Sequence, residues 1–313
     1  GKVRSAPAAG NGMVYFARDD GKIAAVSARS GAEGWQFDAD EPVLSSPTLA
    51  GGTLYAASAA GKVYALDATS GDEQWAFEAE PLCSAVAVGN GAAYVGTNAG
   101  TVYAIDAASG EQRWTFATSG RVSSAPAVEG TTVYFGSLDR FLYAVSGTGQ
   151  LLWKFALGGE MATSPVVGNG LVYAATRDGY LYSLDAASGQ FRSSFSTGAP
   201  IESLTVSGQT AYVGSGGENL RALAVTAPQT RWQRAIPGGS SPPRVHNCVV
   251  YAGSAQRDVY ALDAANGNEL WRYPTQAGVG GMSVVDGSLY VATLDGFLHK
   301  LTPPEPAPPP PVC

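Results

Sequence analysis

The sequence predicts an all-β fold: an eight-bladed β-propeller of four-stranded antiparallel blades. Three observations carry this. A tyrosine recurs at Tyr15, Tyr55, Tyr94, Tyr134, Tyr173, Tyr212, Tyr251 and Tyr290, always 39 or 40 residues apart. Short β-branched and aromatic runs separated by glycine turns surround each one, and the chain holds 40 Gly and 15 Tyr. A hairpin of constant design, Ala65-Leu66-Asp67-Ala68-Thr69-Ser70-Gly71-Asp72-Glu73-Gln74-Trp75, closes most of the units. A period near 40 with four short strands per unit is propeller-like, because such a unit cannot bury its apolar faces alone. One domain over residues 1–301 follows, with a separate segment over 302–313.

The elements of a unit are legible in order. The first strand starts at a small-residue step, such as Ser5-Ala6-Pro7, Ser45-Ser46-Pro47 or Ser124-Ala125-Pro126. Small residues suit strands that converge on an axis. A glycine turn follows, as in Gly89-Asn90-Gly91, and then the strand that bears the recurring tyrosine. The next hairpin turn is Asp-Gly at Asp20-Gly21, Asp178-Gly179 and Asp295-Gly296, a strong hairpin signal. The third strand carries Tyr64, Tyr103, Tyr143, Tyr182 or Tyr260. The closing turn uses Asp67 and Ser70, whose side chains bond nearby backbone N–H groups, and Gly71, which tolerates positive φ. The fourth strand begins at the tryptophan: Trp35, Trp75, Trp114, Trp153, Trp232 or Trp271. Ser193 holds that register in the fifth unit, where Phe195 or a looser junction is expected. The sixth unit is the most divergent, at Gly214–Asn219 and Val225–Pro228. The eighth stops at Leu301, before any tryptophan strand. The run after it is proline-rich, and proline cannot donate to a sheet ladder, so it reads as an extended tail or linker.

These residues resemble the tryptophan-docking motif of PQQ-type β-propeller repeats, over nearly all of residues 1–301. Such repeats occur in quinoprotein alcohol dehydrogenases and in the BamB lipoprotein of the outer-membrane β-barrel assembly machine. In this family the ring usually closes when the N-terminus supplies the outer strand of the last blade. Only Gly1–Arg4 precede the first inner strand here. The expectation is therefore native residues before Gly1 or an exposed edge on the eighth blade.

Net charge is −7 and charged residues make up 14% of the chain. That excludes a nucleic-acid binder, which needs basic stripes. No run of 18 apolar residues is present, so no helical membrane span is expected. Gly1 reads as a cleaved or truncated start, consistent with export. The three cysteines, Cys83, Cys248 and Cys313, cannot all pair internally. Cys83 and Cys248 fall in repeats on opposite sides of a ring of eight, so no bond between them is expected. Cys313, after the proline run, is suited to tethering.

No catalytic, cofactor or metal constellation emerges. The tryptophans read as wedges between blades, and Asp67, Asp106, Asp185 and Asp263 as turn caps. His246 and His299 fall in unrelated registers, which makes no zinc site; His299 stands in the third-strand tyrosine column as packing. The informative residues break their columns. Arg244 stands where other units have Ala8, Thr48, Ala87, Ala127, Val166, Thr205 and Ser283, and Glu202 stands where most have Ser or Thr. Charge there is costly unless paired or hydrated. The structural reading is a Glu202–Arg244 ion pair; the functional one is a polar spot at the channel mouth, with Arg4, Arg121 and Glu160 nearby. The resemblance places the enzymes' cofactor in that funnel.

Three functions are weighed. The first is a non-enzymatic binding or scaffold propeller of the bacterial envelope, with protein partners. The second is a ligand-sensing or tethered cell-surface module of a larger protein, which the proline-rich tail favours. The third is a PQQ-dependent dehydrogenase. The family's enzymes use adjacent cysteines, a calcium site of Glu, Asn and Asp, and an Asp base. No two cysteines are adjacent here, and every repeat is near minimal length.

Overall fold

A computed structural model describes residues 1–82, 84–161, 163–216, 219–225, 229–237 and 241–302. Among them the strands form eight consecutive antiparallel sheets, seven of four strands and one of three. No helix occurs among the described residues. The first blade comprises Ala8–Gly10, Met13–Ala17, Lys22–Ser27 and Glu33–Asp38. The eighth comprises Val279–Val285, Ser288–Thr293 and Leu298–Leu301, and its third strand has no described neighbour on its outer side.

The repeating register explains the repeating residues. In the second blade Tyr55 pairs with Ala65, and Ala65 pairs with Trp75 across the next ladder. A bulge follows at once, between Ala65 and Leu66. The same shift recurs in every four-stranded blade. A bulge twists its strand locally, and each one sits beside the tryptophan register. The ring then lies near the tyrosine of its own blade, with Tyr55–Trp75 centroids 5.9 Å apart.

Apolar clusters lie between blades rather than within them. Ile23, Ala25 and Trp35 of the first blade pack with Leu54, Tyr64 and Leu66 of the second. Adjacent blades thereby bury faces that neither could bury alone.

The turn caps behave as expected. Asp67 Oδ1 accepts the backbone N–H groups of Thr69 and Ser70 at 2.8 and 2.9 Å. Asp106 does the same for Ala108 and Ser109. His299 packs edge-on against Tyr273, with centroids 6.1 Å apart. Cys248, in the turn after Arg244–His246, is disulfide-bonded. Cys83 and Cys313 lie outside the described residues, and so do the expectations placed on them. The same holds for the tail beyond Thr302 and for Gly217, Glu218 and Thr226–Pro228 in the sixth unit.

Candidate functional site

The first strands of successive blades lie against one another, and their side chains link one blade to the next. Thr48 Oγ1 donates to the carbonyl of Val86 at 2.6 Å, and Thr205 Oγ1 donates to that of Pro243 at 2.7 Å. Arg244 occupies the same column, and its Nε donates to the carbonyl of Met282 at 2.8 Å. The three acceptors are register-equivalent: each precedes the column residue of the following blade. One guanidinium nitrogen therefore does the structural work of a threonine hydroxyl.

The remainder of the guanidinium is the unusual part. Arg244 forms no ion pair within 4 Å among the described residues. Burial pushes its pKa below the ordinary arginine value. It lines a cavity of about 260 Å³ with Arg4, Ser5, Ser46, Gly280 and Gly281 among its neighbours. Arg4 is tied by Nε to Asp19 Oδ2 at 3.0 Å and stays half exposed. Two cations thus share one hollow, one half-buried and one more exposed.

The other candidates are placed differently. The Glu202–Arg244 ion pair does not form. The ladder of Ile201–Ser207 slips between Ile201 and Ser203. Glu202 is the extra residue of that bulge, which leaves it unpaired in the ladder, and it is exposed. Glu160 faces Arg177 at 3.8 Å on the surface. Arg121 is exposed, and its carbonyl accepts the N–H of Leu138 at 2.8 Å. None of Glu202, Glu160 and Arg121 lines the cavity that Arg4 and Arg244 share.

Five docking tryptophans repeat one arrangement. Trp35, Trp75, Trp114, Trp153 and Trp232 donate their indole N–H to Ala68, Ala107, Gly147, Ala186 and Ala264 of the following blade, at 2.9–3.1 Å. In the fifth blade Ser193 instead shares a 2.7 Å hydrogen bond with Ser183. The cavity left there is only about 10 Å³, with Phe195 and Val225 in its lining.

Sequence reasoning passed over Lys300. It pairs with Tyr290 across the ladder, so it stands in the column of Ala25, Ala65, Ala104, Ala144, Ser183, Ala222 and Ala261. Its Nζ donates to the carbonyl of Ala28 at 2.9 Å and lies 5.9 Å from the Tyr290 ring centroid. A charge in a column of alanines and one serine was the available signal.

The cavity at Arg244 offers arginines, hydroxyls, backbone and apolar side chains such as Leu44 and Met282, and no carboxylate. No group of three His, Cys, Asp or Glu able to hold a metal occurs among the described residues. This lining does not supply the acidic donors of a quinone-and-calcium site, so these residues do not fit that cofactor pair.

A family model described as outer membrane protein assembly factor BamB matches residues 1–86, 61–147 and 100–303. The comparison with curated proteins gives no match. Among solved structures, BamB from Moraxella catarrhalis is 21% identical, with a TM-score of 0.84 over 95% of this chain and 96% of that one. A quinohemoprotein alcohol dehydrogenase, ADHIIG from Pseudomonas putida HK5, is 17% identical, with a TM-score of 0.79 over 92% of this chain and 69% of that one. The computationally designed Ika8 protein is 16% identical, with a TM-score of 0.88 over 96% of each chain. At these identities the likenesses show the fold. No helix among the described residues is long and apolar enough to cross a membrane.

Proposed function

The chain belongs to the BamB family of PQQ-type repeat propellers, and from that premise we propose a non-catalytic binding or scaffold propeller of the bacterial cell envelope. It is exported to the periplasm or cell surface and acts on protein partners through the mouth of its channel. The observation that carries this reading is Arg244, a half-buried cation opening onto a cavity shared with Arg4, with no carboxylate in the lining. A partly desolvated charge without a counter-charge is disfavoured. An acidic group brought by a partner offsets that cost and gains a charge-assisted, two-pronged hydrogen bond. The chain is acidic overall, at −7, so an acidic ligand must be drawn by this local spot rather than by the general field.

The test is titration calorimetry with a short polyglutamate peptide at several salt concentrations. Binding that weakens with salt, and is lost in Arg244→Met and reduced in Arg4→Met, supports the reading. Absence of binding, or binding indifferent to Arg244→Met, refutes it. Titration with PQQ and calcium separates the enzymatic alternative, since a new absorbance band would show cofactor binding and dye-reducing activity with an alcohol would show catalysis.

A further inference from the structure

The chain holds four Asn-Gly pairs, Asn11-Gly12, Asn90-Gly91, Asn169-Gly170 and Asn266-Gly267. Asparagine is a thermolabile side chain, and a following glycine leaves the next backbone nitrogen unshielded. The fold treats the four pairs unequally. Asn169 Nδ2 donates to the carbonyl of Gly208 at 2.9 Å. Asn266 Oδ1 accepts the N–H of Asn268 at 2.8 Å. The N–H of Gly267 donates to the Asp263 carbonyl at 2.8 Å, and the Trp232 ring covers that glycine. The Asn90 carbonyl accepts Arg113 Nη1 at 3.0 Å, which fixes the Asn90–Gly91 peptide. Asn11 differs. It and Gly12 are exposed. Among the described residues neither its carboxamide, its carbonyl nor the Gly12 N–H forms a hydrogen bond. An added Cβ on Gly12 would meet nothing within 4 Å, so the approach to this turn is open.

We propose that Asn11 is a self-modification site, which deamidates ahead of the other three. The Gly12 backbone nitrogen loses its proton to hydroxide and attacks Asn11 Cγ. The new N–Cγ bond forms as the Cγ–Nδ2 bond breaks, and Nδ2 leaves as ammonia, giving a cyclic imide. Water then opens the ring. Cleavage of the new N–Cγ bond gives aspartate, and cleavage of the original peptide bond gives isoaspartate. The net change is water in and ammonia out, with no oxidant or reductant. The fold has a place for the first product. The eighth blade carries Asp286-Gly287 at the equivalent turn, with φ +48° and +72°, against +55° and +75° at Asn11 and Gly12. Aspartate tolerates that left-handed conformation. Isoaspartate adds a methylene to the main chain of a two-residue loop whose flanks pair at Gly10 and Met13. Loop length sets the turn type in such a hairpin, so the longer main chain fits poorly. The native hairpin therefore favours aspartate, and each conversion adds a negative charge at this turn.

The experiment incubates the full chain at mildly alkaline pH, with a parallel sample in urea, and follows each Asn-Gly peptide by mass spectrometry after digestion. In the native protein Asn11 should lead Asn169 and Asn266 by at least about fivefold, the rate equivalent of one net hydrogen bond that must break first. In urea the four rates should converge, because the ties are gone. Arg113→Met frees the Asn90 peptide and should raise the Asn90 rate towards that of Asn11. The native sample should also yield a higher ratio of aspartate to isoaspartate than the urea sample, and Asn11→Asp should keep the melting temperature of the native chain. An Asn11 rate no faster than those of Asn169 and Asn266 overturns the proposal. So does the same order and spread in urea, which would trace the preference to local sequence alone. An Asn90 rate unmoved by Arg113→Met would mean that hydrogen bonds do not set the order. An equal product ratio in the two samples, or a lowered melting temperature in Asn11→Asp, would overturn the selection of aspartate by the turn.

Discussion

Single residues in this chain act through the turn or the neighbour that they complete. The Arg192 guanidinium and the Ser188 hydroxyl and N–H hold the Asp185 carboxyl down to about 2. At Asp106 the Ser109 N–H and Arg113 hold it below the usual carboxylate range. Such groups stabilise the fold fully above the unfolded value of about 3.9, and the contribution is lost as pH falls towards the folded value. Asp185→Asn should therefore flatten the fall of melting temperature between about pH 4 and 2. An unchanged slope would show that the carboxylate does not act in this way. Trp114 presents a larger effect, because it fills space between blades and satisfies the Gly147 carbonyl. Trp114→Ala should destabilise by roughly 3–5 kcal/mol in urea melts, the usual cost of emptying a large aromatic site. Ser193 sits in the same register but contributes one hydroxyl pair, so Ser193→Ala should cost about 1 kcal/mol. Equal costs at the two positions would mean that the registers are not equivalent.

At the scale of the element, the fourth strand and the docking turn that receives it form one device shared between two blades. Gly71 shows both of its demands, a φ of +81° and a Trp35 ring 2.6 Å from any added Cβ. Gly31 has the first demand, a φ of +72°, without the second. Gly71→Ala should then destabilise more than Gly31→Ala by at least about 1 kcal/mol, since overpacking adds to backbone strain. Comparable losses would argue against open space at Gly31. This device was largely legible in the sequence, because its parts lie within one repeat: Asp67, Gly71 and Trp75 span nine residues. What lies between repeats was not. Column comparison flagged Arg244 as out of place, but its acceptor is a backbone carbonyl, which no side-chain pattern reveals. Pairing it with Glu202 assumed a regular strand, and the bulge at Ile201–Ser203 removes that premise. Lys300 meets Ala28 across 272 positions, a contact that exists only because the ring returns on itself.

For the whole molecule, closure of the ring is the step that repeats cannot supply by themselves. Among the described residues the contacts across the seam differ from axis to rim. On the inside, Val3 is fully buried, and the Val3–Ala6 backbone lies so close to Gly280 and Gly281 that a Cβ on either would run into it. On the outside, the eighth blade lacks a described fourth strand, and Lys300 spans the gap with one hydrogen bond. The inner contact should therefore hold the seam. Gly281→Ala forces backbone from backbone there, and such overpacking typically costs 1–3 kcal/mol, or about that much here. Gly168 offers the control, since it also lies on an inner strand but an added Cβ meets nothing within 4 Å. Gly168→Ala should change stability by no more than about 0.5 kcal/mol. Hydrogen exchange locates the effect: Gly281→Ala should speed exchange first in Val279–Val285 and Leu298–Leu301, while central blades keep their protection until global unfolding. Uniform acceleration around the ring would mean that the propeller opens as one unit, and that the seam is no weaker than the other junctions.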